Sequence, residues 1–314
     1  MARRHLALAP FLSLVRRGDP GGGLHNTAGI AIMLVSVFFF TLMDATAKYL
    51  TQYYPPPMVI WARFFGNFVV LLLVLRGRMV PALRSRQPLL QVGRAVTQML
   101  SLALFVFALR SIGLAEATAI GEIGPAFIAL FAALLLGEKI GPRRITGIAV
   151  AMIGALIIIR PGVGVFQPAA LLPALGAMVY GFGAVLTRMA RSDSVETSLV
   201  WTIGIGTIVT SCIVPLFWVP IAAEHVWGFC LIGVLGAAGQ ALLIRAFTLA
   251  EAAAVAPFGY TGLIWAGLWG FLFWGTIPDI WVATGAAIIV GAGLYIWWRE
   301  VQAARAAEGS EADG

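Results

Sequence analysis

Long apolar runs alternate with short polar segments along the whole chain. A helix needs about 20 mostly apolar residues to cross the hydrocarbon core of a bilayer. Runs close to that length, bounded by charged residues, proline or glycine, predict an all-α integral membrane protein of ten transmembrane helices. The predicted spans are residues 28–49, 58–75, 92–110, 115–136, 144–160, 168–188, 198–220, 227–246, 253–274 and 279–298.

The composition indicates that lipid, rather than water, surrounds most of the chain. Hydrophobic residues make up 60% of the sequence and charged residues 11%, with a mean hydropathy of +0.93. Soluble domains carry about 25% charged residues, because their surface faces water. The 36 glycines are typical of membrane helices that pack closely together. We therefore exclude a soluble domain and expect the lipid bilayer as a partner.

The basic residues predict the orientation of the helices. If the N-terminus is cytoplasmic, sixteen of the 21 Lys and Arg residues fall on inside segments and three on outside segments, with Arg63 and Arg94 within helices. Basic residues accumulate on the cytoplasmic side of membrane proteins. We therefore predict a multi-pass protein of the cell inner membrane with both termini cytoplasmic. The net charge of +7 belongs to these short loops, so no nucleic-acid partner is predicted.

The two ends of the chain are predicted to be cytoplasmic tails. Residues 1–27 include a short apolar stretch broken by Pro10, which is typical of a retained tail rather than a cleaved signal peptide. Residues 299–314 form the second tail, and the polar, acidic part from Ala303 onwards is predicted to be disordered. The sequence leaves open whether the protein forms a homodimer.

The second half of the chain resembles the first. The segment ALRSIGLAEATAI at residues 108–120 matches LIRAFTLAEAAAV at residues 243–255. After a slip of three residues, Thr146 also aligns with Thr284. The shared order of these matches predicts an internal duplication.

The duplication predicts two repeats of five helices, residues 28–162 and 163–298, around a central cavity. Because five is an odd number, the two copies would cross the membrane in opposite directions. Inverted repeats suit alternating access, since each half can adopt the conformation of the other and open the site to the opposite face.

Several segments resemble the EamA-type family of the drug/metabolite transporter superfamily. They are FTLMDATAKYL at residues 40–50, the repeat segment at residues 108–120, Pro125, and LLGEKIGPRRITGIAVAMIGALIIIRPG at residues 135–162. The resemblance implies ten helices in an inverted repeat around a central cavity. It also implies transport of amino acids, vitamins, nucleoside-like metabolites or drugs.

Arg63, Arg94 and the LAEAT segment resemble bacterial metabolite permeases such as carriers of riboflavin or S-adenosylmethionine. The second half departs from the family pattern, because Gly275 and Thr276 stand where the first half has Gly137 and Glu138. The second loop therefore lacks the acidic residue and the basic pair of the first.

Three ionisable residues are predicted to lie at similar depth within the membrane. Asp44, Arg63 and Glu122 are each about 8–10 Å below the outer surface at 1.5 Å per residue. Arg63 would bind an anionic group of the substrate, while Asp44 or Glu122 would carry a coupling proton. The alternative is a structural ion pair, with Lys48 one helical turn from Asp44 and anchored at the interface. Pro125 predicts a kink beside Glu122.

Further candidates for substrate contact are mainly aromatic. Tyr260 and Trp265 follow a predicted break at Pro257 in the ninth helix, where they would stack on the substrate or serve only in helix packing. Trp61 in the second helix is a further candidate. Arg94 would meet the substrate from the cytoplasmic side or extend to the interface.

We predict a secondary transporter that moves a small organic metabolite by alternating access. No cofactor is expected, because His5, His25 and His225 lack the spacing of metal ligands and no phosphate-binding loop is present. Two other classes remain open at this point. One is a membrane-embedded enzyme acting on lipid, and the other is a membrane interaction protein without transport activity.

Overall fold

The computed structural model describes residues 23–75, 79–137, 142–160, 167–250 and 252–312, and all regular structure in these residues is helical. The predicted N-terminal tail up to residue 22 and Glu251 lie outside them. We number the helices in chain order. They are α1 Gly23–Thr51, α2 Pro56–Leu75, α3 Pro88–Leu109, α4 Leu114–Leu136, α5 Pro142–Ile159, α6 Leu171–Met189, α7 Val195–Ile213, α8 Val226–Leu249, α9 at residues 252–274 and α10 Ile280–Ala312.

Each of the ten predicted runs falls on one of these helices. Eight of them are long and apolar enough to cross a membrane within the described part of the chain. The apolar part of α5, Ile145–Ile159, is slightly shorter, and α9 is interrupted. The fold is therefore that of an all-α integral membrane protein, as the sequence predicts.

Several predicted boundaries are wrong by a few residues. Helix α1 begins at Gly23, so residues 23–27 of the predicted N-terminal tail belong to it. Helix α3 begins at Pro88, four residues early, because a proline suits the first turn of a helix. Helix α7 begins at Val195, since the Ser194 side chain accepts a hydrogen bond from the Thr197 amide and caps it. Helix α10 continues to Ala312, so the predicted disorder after residue 303 is not observed. Alanine, glutamate and arginine favour helix, and extending an existing helix requires no nucleation.

Helices α4 and α9 are both broken where prolines lie. Helix α4 consists of Leu114–Gly121 and Gly124–Leu136, and Pro125 opens the second segment. In α9 a 3₁₀ segment at Ala256–Thr261 precedes the regular helix Gly262–Trp274. The break in α4 takes two residues and that in α9 takes six, so the interruption is longer in α9.

The helices pack in a pattern that is preserved when each is exchanged for the one five places along the chain. Helix α1 packs on α8, and correspondingly α6 packs on α3. The last segment of α9 packs on α1, as the second segment of α4 packs on α6. Helices α2 and α7 contact each other, and so do α5 and α10. The result is two mixed groups, each of which contains helices from both halves of the chain, with α2 and α7 between them. One group is α1 with α8 and α9, and the other is α6 with α3 and α4.

Glycines allow the closest of these crossings. A Cβ at Gly66 of α2 would lie 2.5 Å from the Cα of Gly233 of α8, so both positions require glycine. A Cβ at Gly285 of α10 would lie 2.5 Å from the carbonyl oxygen of Gly154 of α5. Backbone contact of this kind is how membrane helices gain packing energy without a hydrophobic force between them.

Candidate functional site

An ion pair joins α1 and α2 within the membrane. Arg63 Nη1 donates to Asp44 Oδ1 at 2.8 Å, and the two side chains are 21% and 20% exposed. Neither side chain is fully enclosed by the helices around it. A charge pair with free surface at this depth can exchange one partner for a charged group of a ligand.

Lys48 does not pair with Asp44, although the two are one turn apart. It is 8% exposed, and its Nζ donates to the carbonyl oxygens of Leu109 at 2.9 Å and Ile112 at 2.6 Å. It also lies 5.5 Å from the centre of the Trp274 ring. Lys48 therefore satisfies the carbonyls at the C-terminal end of α3, which carries partial negative charge. The expected anchor at the interface is a buried structural contact.

Glu122 lies at the break of α4. The backbone there changes from α-helical to tighter hydrogen bonds, since Ile123 N donates to Ile120 O. The carboxyl group is surrounded by protein yet keeps part of its surface accessible. Its electrostatic neighbours are Tyr180 of α6 and Tyr260 of α9, rather than Asp44 or Arg63. The three ionisable residues predicted to form one cluster therefore occupy two places.

Tyr260 and Glu122 lie at the same distance from the ends of the two broken helices. Both broken helices end at a glycine in the left-handed conformation, Gly137 with φ 70° and Gly275 with φ 63°. Counting back fifteen residues from each glycine gives Glu122 and Tyr260. The first segment of α4 and the last segment of α9 also contact each other. Glu122 and Tyr260 thus mark equivalent breaks on facing helices.

An aromatic row runs along the last segment of α9. The Trp265 and Trp269 rings stack at 6.4 Å, and Phe273 continues the row at 5.7 Å. Phe38 of α1 meets both tryptophans edge-on. Trp269 Nε1 donates to the Thr41 hydroxyl at 3.2 Å, which fixes the row against α1. Trp265 is therefore half-buried beside α1, where it serves in helix packing and keeps some free surface.

Trp61 and Arg94 lie apart from Glu122. Trp61 Nε1 donates to the Ser211 hydroxyl at 3.0 Å, and its ring stacks on the exposed Phe65. Arg94 Nη2 donates to the Ser198 carbonyl and, at 2.6 Å, to the Thr202 hydroxyl. Arg94 thus joins α3 to α7 instead of extending to the interface.

Sequence reasoning missed several polar contacts. Tyr180 gave no signal except its position among the small residues of α6, which pack closely against α3 and α4. His225 was assigned to a loop, but it is 7% exposed and its Nδ1 lies 3.0 Å from the Tyr54 hydroxyl. Asp193 accepts hydrogen bonds from Ser85, Gln91 and the Arg86 amide. These contacts join segments that are distant in sequence, so no local pattern reports them.

No group of three or more His, Cys, Asp or Glu side chains could hold a metal ion in the part of the chain that was described. What the described residues do offer is a set of polar and aromatic side chains with free surface inside a helical membrane protein. Such a site can bind a small molecule and suits the class of membrane transporters.

Comparison with known proteins identifies the family. Residues 27–160 match the EamA-like transporter family. The pseudopaline exporter CntI of Pseudomonas aeruginosa is 30% identical over 273 residues, which cover 84% of this chain and 93% of the exporter. The riboflavin transporter of Rhizobium johnstonii is 30% identical over 282 residues, with coverage of 88% and 93%. The S-adenosylmethionine uptake transporter of Rickettsia prowazekii is 25% identical over 278 residues, with coverage of 87% and 93%.

A solved crystal structure has the same fold, with a TM-score of 0.59 at 19% identity, and covers 86% of this chain and 96% of that one. The chain belongs to the EamA-like transporter family of the drug/metabolite transporter superfamily. It is a transporter of small metabolites and not an enzyme.

Proposed function

We propose that this protein is a secondary transporter that carries a small organic metabolite across the cell inner membrane by alternating access. The observation that carries the proposal is the Asp44–Arg63 ion pair, whose atoms are 2.8 Å apart and keep about a fifth of their surface free. A pair with accessible surface can exchange one partner for a charged group of a ligand, which a fully enclosed pair cannot do.

The pairing of the helices supports the two-repeat mechanism. Residues 28–162 and 163–298 are the two repeats, and every major contact of one has a counterpart in the other. Equivalent contacts allow the two mixed groups of helices to exchange conformations, which opens the same site first to one face and then to the other. The termini lie on the cytoplasmic side, as the distribution of basic residues favours.

Each candidate residue has a separate role in this proposal. Arg63 binds an anionic group of the substrate while Asp44 holds it in place. Glu122 carries a coupling proton, for which its place at a break in α4 gives access to the interior. The flat faces of Trp265 and Tyr260 bound the space for the substrate. Candidate substrates are the solutes of the relatives, namely riboflavin, S-adenosylmethionine and a pseudopaline-like compound, together with amino acids.

Transport assays in proteoliposomes test the proposal. Riboflavin, S-adenosylmethionine, amino acids and nucleosides would be screened for uptake with and without a pH gradient. We expect at least one to accumulate, and Arg63→Gln to lower its kcat/KM by about tenfold to a hundredfold, because Asp44 is left without a counter-charge. Arg110→Gln is the matched control, since Arg110 is exposed at the end of α3.

A double variant separates folding from function. Asp44→Asn combined with Arg63→Gln leaves no unpaired charge, so it should insert and fold like the wild type while transport stays low. Full activity in this double variant, or the absence of transport for every solute in liposomes where the related riboflavin transporter works, would contradict the proposal.

A further inference from the structure

Glu122 has a charged side chain without a counter-charge. Among the described residues it makes no side-chain hydrogen bond and no ion pair, although it is surrounded by protein. An ionised carboxylate in such a place costs several kcal/mol unless a cation compensates it.

Three basic residues of the neighbouring helices already have partners. Arg63 is paired with Asp44, Lys48 binds the carbonyls at the end of α3, and Arg94 binds α7. None of these three contacts leaves a cation to pair with the Glu122 carboxylate.

Two aromatic rings flank Glu122. Tyr180 lies over Gly124, two residues away, with its Cδ1 only 3.4 Å from where a Cβ at that glycine would be. Tyr180 is 44% exposed, so the ring has a free face. The hydroxyl of Tyr260 fills the space beside Gly293 of α10, where any side chain would collide with it. This contact fixes the Tyr260 ring against α10. A carboxylate between tyrosine rings is the chemistry that recognises an organic cation.

The position of these residues suits a site that opens to both faces. Glu122 and Tyr260 lie the same distance from the terminal glycines of α4 and α9, at the two breaks. The first segment of α4 and the last segment of α9 contact each other, so a ligand between the two breaks can touch both broken helices.

We propose that Glu122, Tyr180 and Tyr260 bind the cationic centre of the transported metabolite, an ammonium or a sulfonium group. The inference rests on the proposed transport function and specifies its substrate class. With Arg63 as the partner of an anionic group, the site selects a metabolite that carries both charges.

Matched probes that differ in one charge test this inference by binding, without any gradient. S-adenosylmethionine has a sulfonium centre, and S-adenosylhomocysteine is its neutral thioether. Glycine betaine has a quaternary nitrogen and a carboxylate, and 3,3-dimethylbutanoate replaces that nitrogen by carbon. We expect the purified wild-type protein in detergent to bind the cationic member of at least one pair about tenfold or more tightly.

The variants identify the residues responsible. Glu122→Gln should remove the preference for the cation, whereas Glu116→Gln, at the start of α4, should keep it. Tyr180→Phe should bind the cation nearly as well as the wild type, since the ring remains, and Tyr180→Leu should bind it about three- to tenfold more weakly. This difference separates cation binding from simple loss of packing.

The outcomes for binding and for transport are distinct. Three binding results would overturn the inference, even if transport is intact. They are equal binding of the charged and neutral members, no binding of any of the four probes, and an unchanged preference in Glu122→Gln. Preference for the cation that depends on Glu122 supports it, even if no solute accumulates in liposomes, which would contradict the transport proposal alone.

Discussion

Two junctions between loops differ in chemistry although they occupy equivalent places. At the face where the chain enters α1, which we call the terminal face, the α2–α3 loop meets the α6–α7 loop through Asp193. At the opposite face the α7–α8 loop meets the end of α1 through Tyr54. Exchanging each helix for the one five places along turns one junction into the other. The two junctions therefore share a place in the packing pattern and not their residues.

The terminal-face junction is polar and open to water. Asp193 accepts from the Ser85 hydroxyl, from the Arg86 amide at 2.8 Å and from Gln91 Nε2 at 3.0 Å. The loop around it is exposed. Water can replace each of these donors when the loops separate, so the net gain per hydrogen bond is small.

The opposite junction is aromatic and dry. Tyr54 and His225 are 5% and 7% exposed, and the Tyr53 ring lies over His225 at 4.4 Å. The Tyr54 oxygen accepts from the Ala222 amide at 3.0 Å, and the same hydroxyl shares a second hydrogen bond of 3.0 Å with His225 Nδ1. A buried polar group without a partner is costly. The few buried hydrogen bonds of this junction therefore hold the loops more firmly than the larger number at the terminal face.

The largest effect is expected from Tyr54→Phe. The change removes only one oxygen, yet it leaves both the Ala222 amide and His225 Nδ1 without their partner. We expect the population with an open opposite junction to rise about ten- to thirtyfold. Each buried group without a partner costs about 1–3 kcal/mol, and part of this cost is recovered when the junction opens. Pulsed electron paramagnetic resonance between spin labels at Gln52 and Glu224 would measure the population with a wider separation.

The control for this measurement uses labels at the other face. Labels at Arg84 and Arg191, in a background with Cys212 and Cys230 replaced by serine, report on the terminal-face junction. Their distance distribution should not widen in Tyr54→Phe. Equal widening of both pairs would mean that the hydroxyl supports the fold as a whole and not one junction.

Sequence patterns predicted the helices well because lipid imposes a simple rule. A span must be apolar and about 20 residues long, which a single chain reveals without knowledge of its neighbours. The break at Glu122 was predictable because Pro125 cannot donate a backbone hydrogen bond. The Asp44–Arg63 pair could be anticipated from equal depth alone.

The rest of the site depends on contacts that a linear pattern does not contain. Glu122 was expected beside Asp44, but the rotation of α4 turns it towards Tyr180 and Tyr260. Lys48 was expected at the interface, but the end of α3 lies within its reach. Rotation and proximity of helices follow from packing across the whole bundle, so single-helix arguments fix depth and leave direction open.

A smaller effect is expected from Asp193→Ala. The junction loses three hydrogen bonds to a carboxylate, but water reaches the Ser85 hydroxyl and the Arg86 amide, and the buried Gln91 keeps its hydrogen bond to Ser198. We expect a shift of about three- to tenfold towards the open terminal face, seen with the labels at Arg84 and Arg191. Asp193→Asn should fall between the wild type and alanine, since an amide oxygen still accepts. A shift larger than that of Tyr54→Phe would contradict the role that we assign to burial.

A still smaller effect is expected from Arg160→Gln. Arg160 at the end of α5 forms an ion pair with Asp279, which precedes α10, and both side chains are partly exposed. Exposed pairs contribute about 0–1 kcal/mol, so the population should change less than about threefold at either junction. Asp279→Ala is the contrasting variant, because Asp279 also accepts from the Val282 amide and caps α10. If Arg160→Gln opened the opposite face as much as Tyr54→Phe, the ion pair and not the aromatic cluster would be the main closure.

The response of the terminal-face junction to pH should be the smallest effect of all. Hydrogen bonds from Ser85 and Gln91 lower the pKa of Asp193 from its ordinary value of 3.8. A group with a lowered pKa stabilises the state that holds it at every pH above its ordinary value, and the contribution is lost only as the pH falls through the lowered value. Between pH 5 and 8 the distance between labels at Arg84 and Arg191 should therefore stay constant. Asp193→Asn, which cannot titrate, is the control. If the label distances widened at pH 5 in the wild type and not in Asp193→Asn, the carboxylate would be held less firmly than its three donors imply.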